Sequence, residues 1–125
     1  MNENRIATAI VDTCFKIHTT LGAGLFESVY EEILYYELQE AGFQVTRQKA
    51  IPVIWKELKM EIGFRADLIV NNKVIIEIKS VEHVLPVHKK QLLTYLKLTD
   101  LKLGLLVNFN EALIKNGLTR IVNNL

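Results

Sequence analysis

The stretch "RADLIVNNKVIIEIKS", residues 65–80, reads as two apolar strands joined by a polar turn, yet Asp67, Glu77 and Lys79 stand inside it. Period two places Glu77 and Lys79 on one face of the second strand and Ile76 and Ile78 on the other. With both faces largely apolar, the strand is expected to be covered on two sides. A lone charge in such a place costs several kcal/mol, so each must be paired or bound to something. A structural Glu77–Lys79 pair, reinforced by Arg65, is the simplest solution. Asp67 adds a second, conditional one. A two-residue turn at Asn71-Asn72 would oppose Asp67 to Ile76. A three-residue loop, Asn71-Asn72-Lys73, or an equivalent bulge, would oppose Asp67 to Glu77 and Arg65 to Lys79. Only the second brings two carboxylates together beside an ammonium, and such a pair needs a proton or a cation between its members. A hard divalent ion with oxygen ligands fits.

Around this hairpin the chain reads as one α/β domain over residues 1–125, in the order α-α-β-β-β-α-β. Helical periodicity covers residues 4–20 and, after the turn "LGAGL", residues 26–41, with Gly42 as the C′ residue. Strands are expected at Phe43–Trp55 (bent or broken at Pro52), Met60–Val70 and Lys73–Lys79. A helix follows over Val87–Leu98 behind Pro86, then a buried strand over residues 102–109 and a short helix or irregular tail. Half of the 125 residues are hydrophobic and 23% are charged, with a formal charge of +1, so bulk charge does not announce a nucleic-acid partner. No apolar run approaches the roughly 18–20 residues of a membrane span. The first residues lack the pattern of a secretory signal, and the single cysteine, Cys14, lies in an apolar helical series. A reducing, cytoplasmic setting is expected.

Further polar groups could join the hairpin's charges. In "GLFESVY", Glu27 and Tyr30 share a helix face, and in "QLLTY" so do Gln91 and Tyr95. Read singly, Glu27 is a solvated first-turn acid, and Gln91 with Tyr95 a half-exposed helix edge. His18, His83 and His88 have no ligand spacing and read as surface or capping residues. Trp55 reads as a strand-end core aromatic that could otherwise stack on a base. Lys89 and Lys90 read as a solvated face, or as phosphate contacts if they border a cleft.

Asp67 followed by Glu77-Ile78-Lys79 resembles the D…(D/E)xK signature of the PD-(D/E)xK nuclease-like superfamily. "GLFESVY" resembles the Gly-x-x-Glu-x-x-Tyr motif of the small prokaryotic GxxExxY proteins within it. "QLLTY" is similar to the Gln-x-x-x-Tyr element of RecB-like nucleases, and "GLLVNF", with Gly104, Asn108 and Phe109, fits the subgroup. Ala66 stands where the superfamily's name has proline. The resemblance implies a restriction-endonuclease-like domain, a central mixed sheet flanked by helices. It also implies a Mg²⁺- or Mn²⁺-dependent nuclease hydrolysing phosphodiester bonds of DNA or RNA. Asp67 and Glu77 would be the chief metal ligands, with the Ile78 carbonyl, and Glu27 would complete or orient the site. Lys79 would position or activate the attacking water. Gln91 and Tyr95 would support the site and touch the nucleic-acid backbone, with Tyr30, Arg65, Lys89 and Lys90 in supporting or binding roles. Two other readings stand beside it. One is a non-catalytic member of the fold that binds nucleic acid or protein. The other is a buried charge network with no ligand. So small a domain is expected to need a homodimer or protein partner to grip a duplex.

Overall fold

The computed structural model describes residues 1–61 and 63–125. Ile62, inside the expected Met60–Val70 strand, lies outside the described residues.

Helix α1 spans Glu3–Leu21 and is opened by Asn2, whose side-chain oxygen accepts the Arg5 N–H at 2.9 Å. It buries Ile6, Ile10, Cys14 and Ile17 of the apolar helical series, whereas Leu21 at the end of that series is exposed. Burial pushes the Cys14 thiol up to about 12, so it serves as a small apolar side chain. Helix α2, Glu27–Glu40, buries Tyr30, Glu31, Leu34 and Leu38, and Gly42 follows it at φ 93°, which a side chain would resist.

The central sheet has the order β1-β4-β5-β6-β7, formed by β1 (Val45–Ala50), β4 (Arg65–Val70), β5 (Val74–Lys79), β6 (Leu103–Asn108) and β7 (Leu118–Val122). Every neighbouring pair is antiparallel except β5–β6, which α3 (Pro86–Thr99) makes parallel by carrying the chain back across the sheet. One face packs Leu68, Ile76, Ile78 and Val107 against α1 and α2. The other packs Ile69, Ile75 and Leu106 against Leu92, Tyr95 and Leu96 of α3. Two apolar layers therefore enclose β5 and β6, which are buried along almost their whole length, Glu77 included. Among the described residues no helix is long and apolar enough to cross a membrane.

Three elements depart from the sequence reading. Pro52 does break the first long strand, but its second piece, Val53–Trp55 (β2), pairs with Leu58–Met60 (β3) in a separate two-stranded hairpin, so the expected Met60–Val70 strand begins in the central sheet only at Arg65. The hairpin puts Trp55 in solvent, at 67% exposure, rather than in a core. The tail contains a short 3₁₀ turn at Ile114–Gly117, as expected, and then β7, which pairs along β6. Five residues of mixed burial carry too weak a pattern to read as a strand, and the partner β6 supplies the pairing. His18 is buried, its Nε2 hydrogen-bonded to the Glu111 carbonyl at 2.8 Å, rather than on the surface.

Close backbone approaches fix two glycines. A Cβ on Gly104 would lie 2.8–3.0 Å from three side-chain atoms of Leu92, and one on Gly117 would lie 2.2 Å from the Asn108 carbonyl oxygen. Gly104→Ala is expected to lower stability by about 1–3 kcal/mol. Gly117→Ala should cost more, because a backbone carbonyl yields less than a leucine side chain. Urea unfolding midpoints of the two variants against wild type measure both.

Candidate active site

The β4–β5 turn selects between the two registers. Val70 pairs with Val74, Ile69 with Ile75 and Leu68 with Ile76, so the loop holds three residues, Asn71 to Lys73. Asn71 and Asn72 sit at φ 51° and 53°, a conformation that asparagine tolerates better than most residues. Lys73 donates its N–H to the Val70 carbonyl at 3.0 Å. Continuing this register opposes Asp67 to Glu77 and Arg65 to Lys79. At this end the backbone ladder stops, and Asp67 Oδ2 instead accepts the Ile78 N–H at 2.8 Å. A side-chain carboxylate thus serves as acceptor for the β5 amide, which draws the two acids together.

Their electrostatics follow from that geometry. Glu77 is 7% exposed, and its Oε1 is buried without a hydrogen-bond partner among the described residues. Burial first, and then the Asp67 charge, push its carboxyl up to about 9, against a smaller opposing pull from Lys79. Glu77 therefore carries a proton at neutral pH. Burial, followed by the charges of Glu77 and Asp67, also raises the Tyr95 phenol above its ordinary range, which marks α3 as the wall facing the pair. The Tyr95 ring meets Phe64 edge-on at 6.0 Å. Half-buried Lys79 closes the set at the end of β5, where its carbonyl accepts the Phe109 N–H at 2.9 Å.

The remaining expected residues divide. Glu27 does not join a three-acid cluster. Its Oε2 accepts the Ser80 N–H at 3.0 Å, and among the described residues no three His, Cys, Asp or Glu side chains gather at ligand distance. It lines a cavity of about 490 Å³ together with Asp67, so it borders the site while holding the chain just past β5. Tyr30 is fully buried, which excludes contact with nucleic acid. Its hydroxyl donates to the Gly22 carbonyl at 2.6 Å and accepts the Leu25 N–H at 3.2 Å, and its ring stacks on Phe109 at 4.4 Å. Tyr30 supports the site by pinning the loop that delivers Glu27. Arg65 is exposed and donates to the Gln48 carbonyl at 3.1 Å rather than reinforcing a Glu77–Lys79 pair. Gln91, Lys89 and Lys90 are exposed on the first half of α3. His88 is a cap, as expected, its Nδ1 accepting the Leu85 N–H at 3.1 Å, and His83 is on the surface beside Glu82.

Sequence reasoning missed Glu31, Arg47 and Gln48. Glu31 is buried, with its Oε2 2.9 Å from Arg47 Nε and its Oε1 accepting from Gln48 Nε2 at 2.6 Å. Arg47 also pairs with Glu32. The same Gln48 nitrogen lies 3.1 Å from Asp67 Oδ1. These residues line the cavity shared by Glu27 and Asp67. The available signal was the Glu27/Glu31 spacing, four apart and so on one helix face.

The buried Glu77 oxygen beside the Asp67 carboxylate, unpartnered among the described residues, is the observation that fits a cation. Like charges in contact are relieved by a proton, as here, or by a metal. In the unfolded chain a glutamate ionises near 4.5, whereas folded Glu77 keeps its proton to about 9. Between those values the folded state binds more protons, so stability falls as pH rises, and the loss is complete above about 9. Glu77→Gln cannot ionise and is expected to remove this slope. Relative to wild type it should gain on the order of a few kcal/mol between pH 5 and pH 8, read from unfolding midpoints across that range.

Comparison with known proteins gives one finding. A family model described as the PD-(D/E)XK nuclease superfamily matches residues 4–121. No curated protein and no solved structure matches. The matched span takes in both core layers and the whole Asp67–Glu77–Lys79 hairpin, and the five-stranded mixed sheet with flanking helices agrees with a restriction-endonuclease-like fold. This chain belongs to the PD-(D/E)XK nuclease superfamily.

Proposed function

We propose that this protein is a Mg²⁺- or Mn²⁺-dependent nuclease of the GxxExxY kind, hydrolysing phosphodiester bonds of DNA or RNA. The observation that carries the reading is Glu77, a buried acid with an oxygen unpartnered among the described residues, pressed against Asp67 and followed by Lys79. A network with no ligand would be expected to satisfy that oxygen from within.

Asp67 and Glu77, with the Ile78 carbonyl, would hold the ion, and Glu77 would release its proton on binding. A bound divalent ion supplies an activated water and charge stabilisation at the phosphoryl oxygens. The rest is the chain's own work. Lys79 donates to the attacking water or to a phosphate oxygen, and its fixed charge beside the acids offsets charge that builds at phosphorus. Tyr95 closes the α3 side and keeps the pair in a low-dielectric setting. Glu27 fixes the backbone just past Lys79 through the Ser80 N–H. Arg65, Gln91, Lys89 and Lys90, all exposed, would meet the nucleic-acid backbone, which fixes register without reading sequence. A dimer or a protein partner would extend that grip over a duplex.

Mn²⁺ should raise the thermal unfolding midpoint of the wild type by mass action. Asp67→Ala and Glu77→Ala should abolish the gain. Lys79→Ala should keep the Mn²⁺ response but lower cleavage of single-stranded, duplex or branched substrates by about 10²-fold or more. A wild type that binds Mn²⁺ and nucleic acid yet cuts none of these is the non-catalytic member of the fold. A wild type indifferent to divalent ions, with Glu77→Ala unfolded, is a structural charge network.

A further inference from the structure

Gln48 occupies an unusual backbone state for its place. Pairing of β1 with β4 runs Arg47↔Leu68 and Lys49↔Ala66, in one unbroken register, but the step that would oppose Gln48 to Asp67 is missing. At that step Gln48 adopts φ 50°, in the left-handed region that glycine accepts and glutamine resists. The strand returns to its register on the next residue, so the distortion shifts no pairing and ends no strand. It follows that the strain is local and is offset by what the Gln48 side chain does.

That side chain spans from α2 to the acidic pair. Its Nε2 donates to Glu31 Oε1 at 2.6 Å and to Asp67 Oδ1 at 3.1 Å. Both partners are acceptors, so the amide's donor end has only one way to face. Glu31 is in turn fixed by burial and by Arg47 Nε at 2.9 Å on its other oxygen. Asp67 therefore has a donor on each oxygen, the Gln48 amide on Oδ1 and the Ile78 N–H on Oδ2. Two donors fix both the position and the plane of a carboxylate. Gln48 is itself exposed, so water could satisfy its amide without any strain. Solvation thus gives no reason for the left-handed backbone, whereas holding Asp67 does.

We propose that Gln48 is a positioning residue: with Glu31 as its anchor, it orients the Asp67 carboxylate for the divalent ion. The inference rests on the cation-dependent reading of the site and adds a role for a residue outside the Asp67–Glu77–Lys79 set. Gln48 lines the cavity beside Asp67, and its role here is to hold that carboxylate. It acts through Asp67, as outer partners of metal ligands commonly do, with effects of about 10–100-fold on affinity.

The test measures Mn²⁺ affinity by calorimetry on the full chain, together with the electron paramagnetic resonance spectrum of the bound ion. Gln48→Gly keeps the left-handed backbone without strain and removes the amide. Glu31→Ala leaves the amide but removes its anchor. Each is expected to weaken Mn²⁺ binding about 10-fold or more and to alter the spectrum. The double variant should be no weaker than Gln48→Gly alone, because the two residues act in one chain. Ile114→Val, a core change remote from the site, controls for lost stability and should leave both readouts unchanged. If wild type binds Mn²⁺ and Gln48→Gly binds it equally with the same spectrum, the positioning role is overturned while the cation site stands. If the two losses simply add, or if Ile114→Val weakens binding as much, the role is overturned as well. A wild type that takes up no Mn²⁺ overturns the cation reading itself, and this role with it.

Discussion

The bond between Asp67 Oδ2 and the Ile78 N–H decides how the rest of this site is arranged. A hairpin end can close with backbone bonds, or it can splay and solvate its last groups. Here it does neither, because a side chain takes over as acceptor for a central-strand amide. Once Asp67 is committed in that way, its charge lies against Glu77, and Glu77 must be neutral or share a cation. The same bond ties the acid to the backbone immediately before Lys79, so the residue that carries the amine is rooted beside the acids. Four features of the site thus follow from one contact: the paired acids, the proton on Glu77, the neighbouring amine and the missing ladder pairs.

The elements around it act mainly as clamps on that geometry. Tyr30 holds the Gly22–Leu25 loop, Glu27 and Ser80 hold the chain past β5, and Asn108 reads both backbone groups of Val81 through its amide. All three converge on the few residues that follow Lys79. Without them the end of β5 would be a loop leaving a sheet, the least constrained place for a functional amine. These part-buried and exposed hydrogen bonds therefore serve placement more than stability.

This division of labour explains what the sequence could reveal. The hairpin was legible because two apolar runs flank a polar turn that admits only two registers, which differ in the residue that Asp67 faces. The helices and central strands were legible from apolar period alone. Strand β7 was not, since its pattern is mixed and its partner β6 determines its pairing. Trp55 was misplaced because the sequence marks a break at Pro52 but not the separate hairpin beyond it. Among site residues, the motif letters Glu27 and Tyr30 were visible as members of a set. Their roles as clamps were not, because a hydrogen bond to a backbone N–H leaves no trace in residue type. Gln48 was hidden for a different reason. Its left-handed backbone inside a strand runs against local preference, and no propensity reading can propose a conformation that only a tertiary contact sustains.

The protonated Glu77 also bears on how such a site is kept folded before it works. Two ionised carboxylates at this separation would oppose folding, whereas one carboxylate and one carboxylic acid do not. Burial raises the Glu77 carboxyl enough that the proton is retained at neutral pH, so the chain can close its sheet over the pair without help. A cation bound as proposed would meet an assembled pocket and would have to displace one proton, not reorganise a strand. The low-dielectric wall formed by Tyr95 and α3 thus has two effects of opposite sign. It stabilises the neutral acid while the protein folds, and it strengthens every charge interaction once the acid ionises. The desolvation that makes Glu77 a poor carboxylate in isolation is therefore the condition under which it would become a strong ligand.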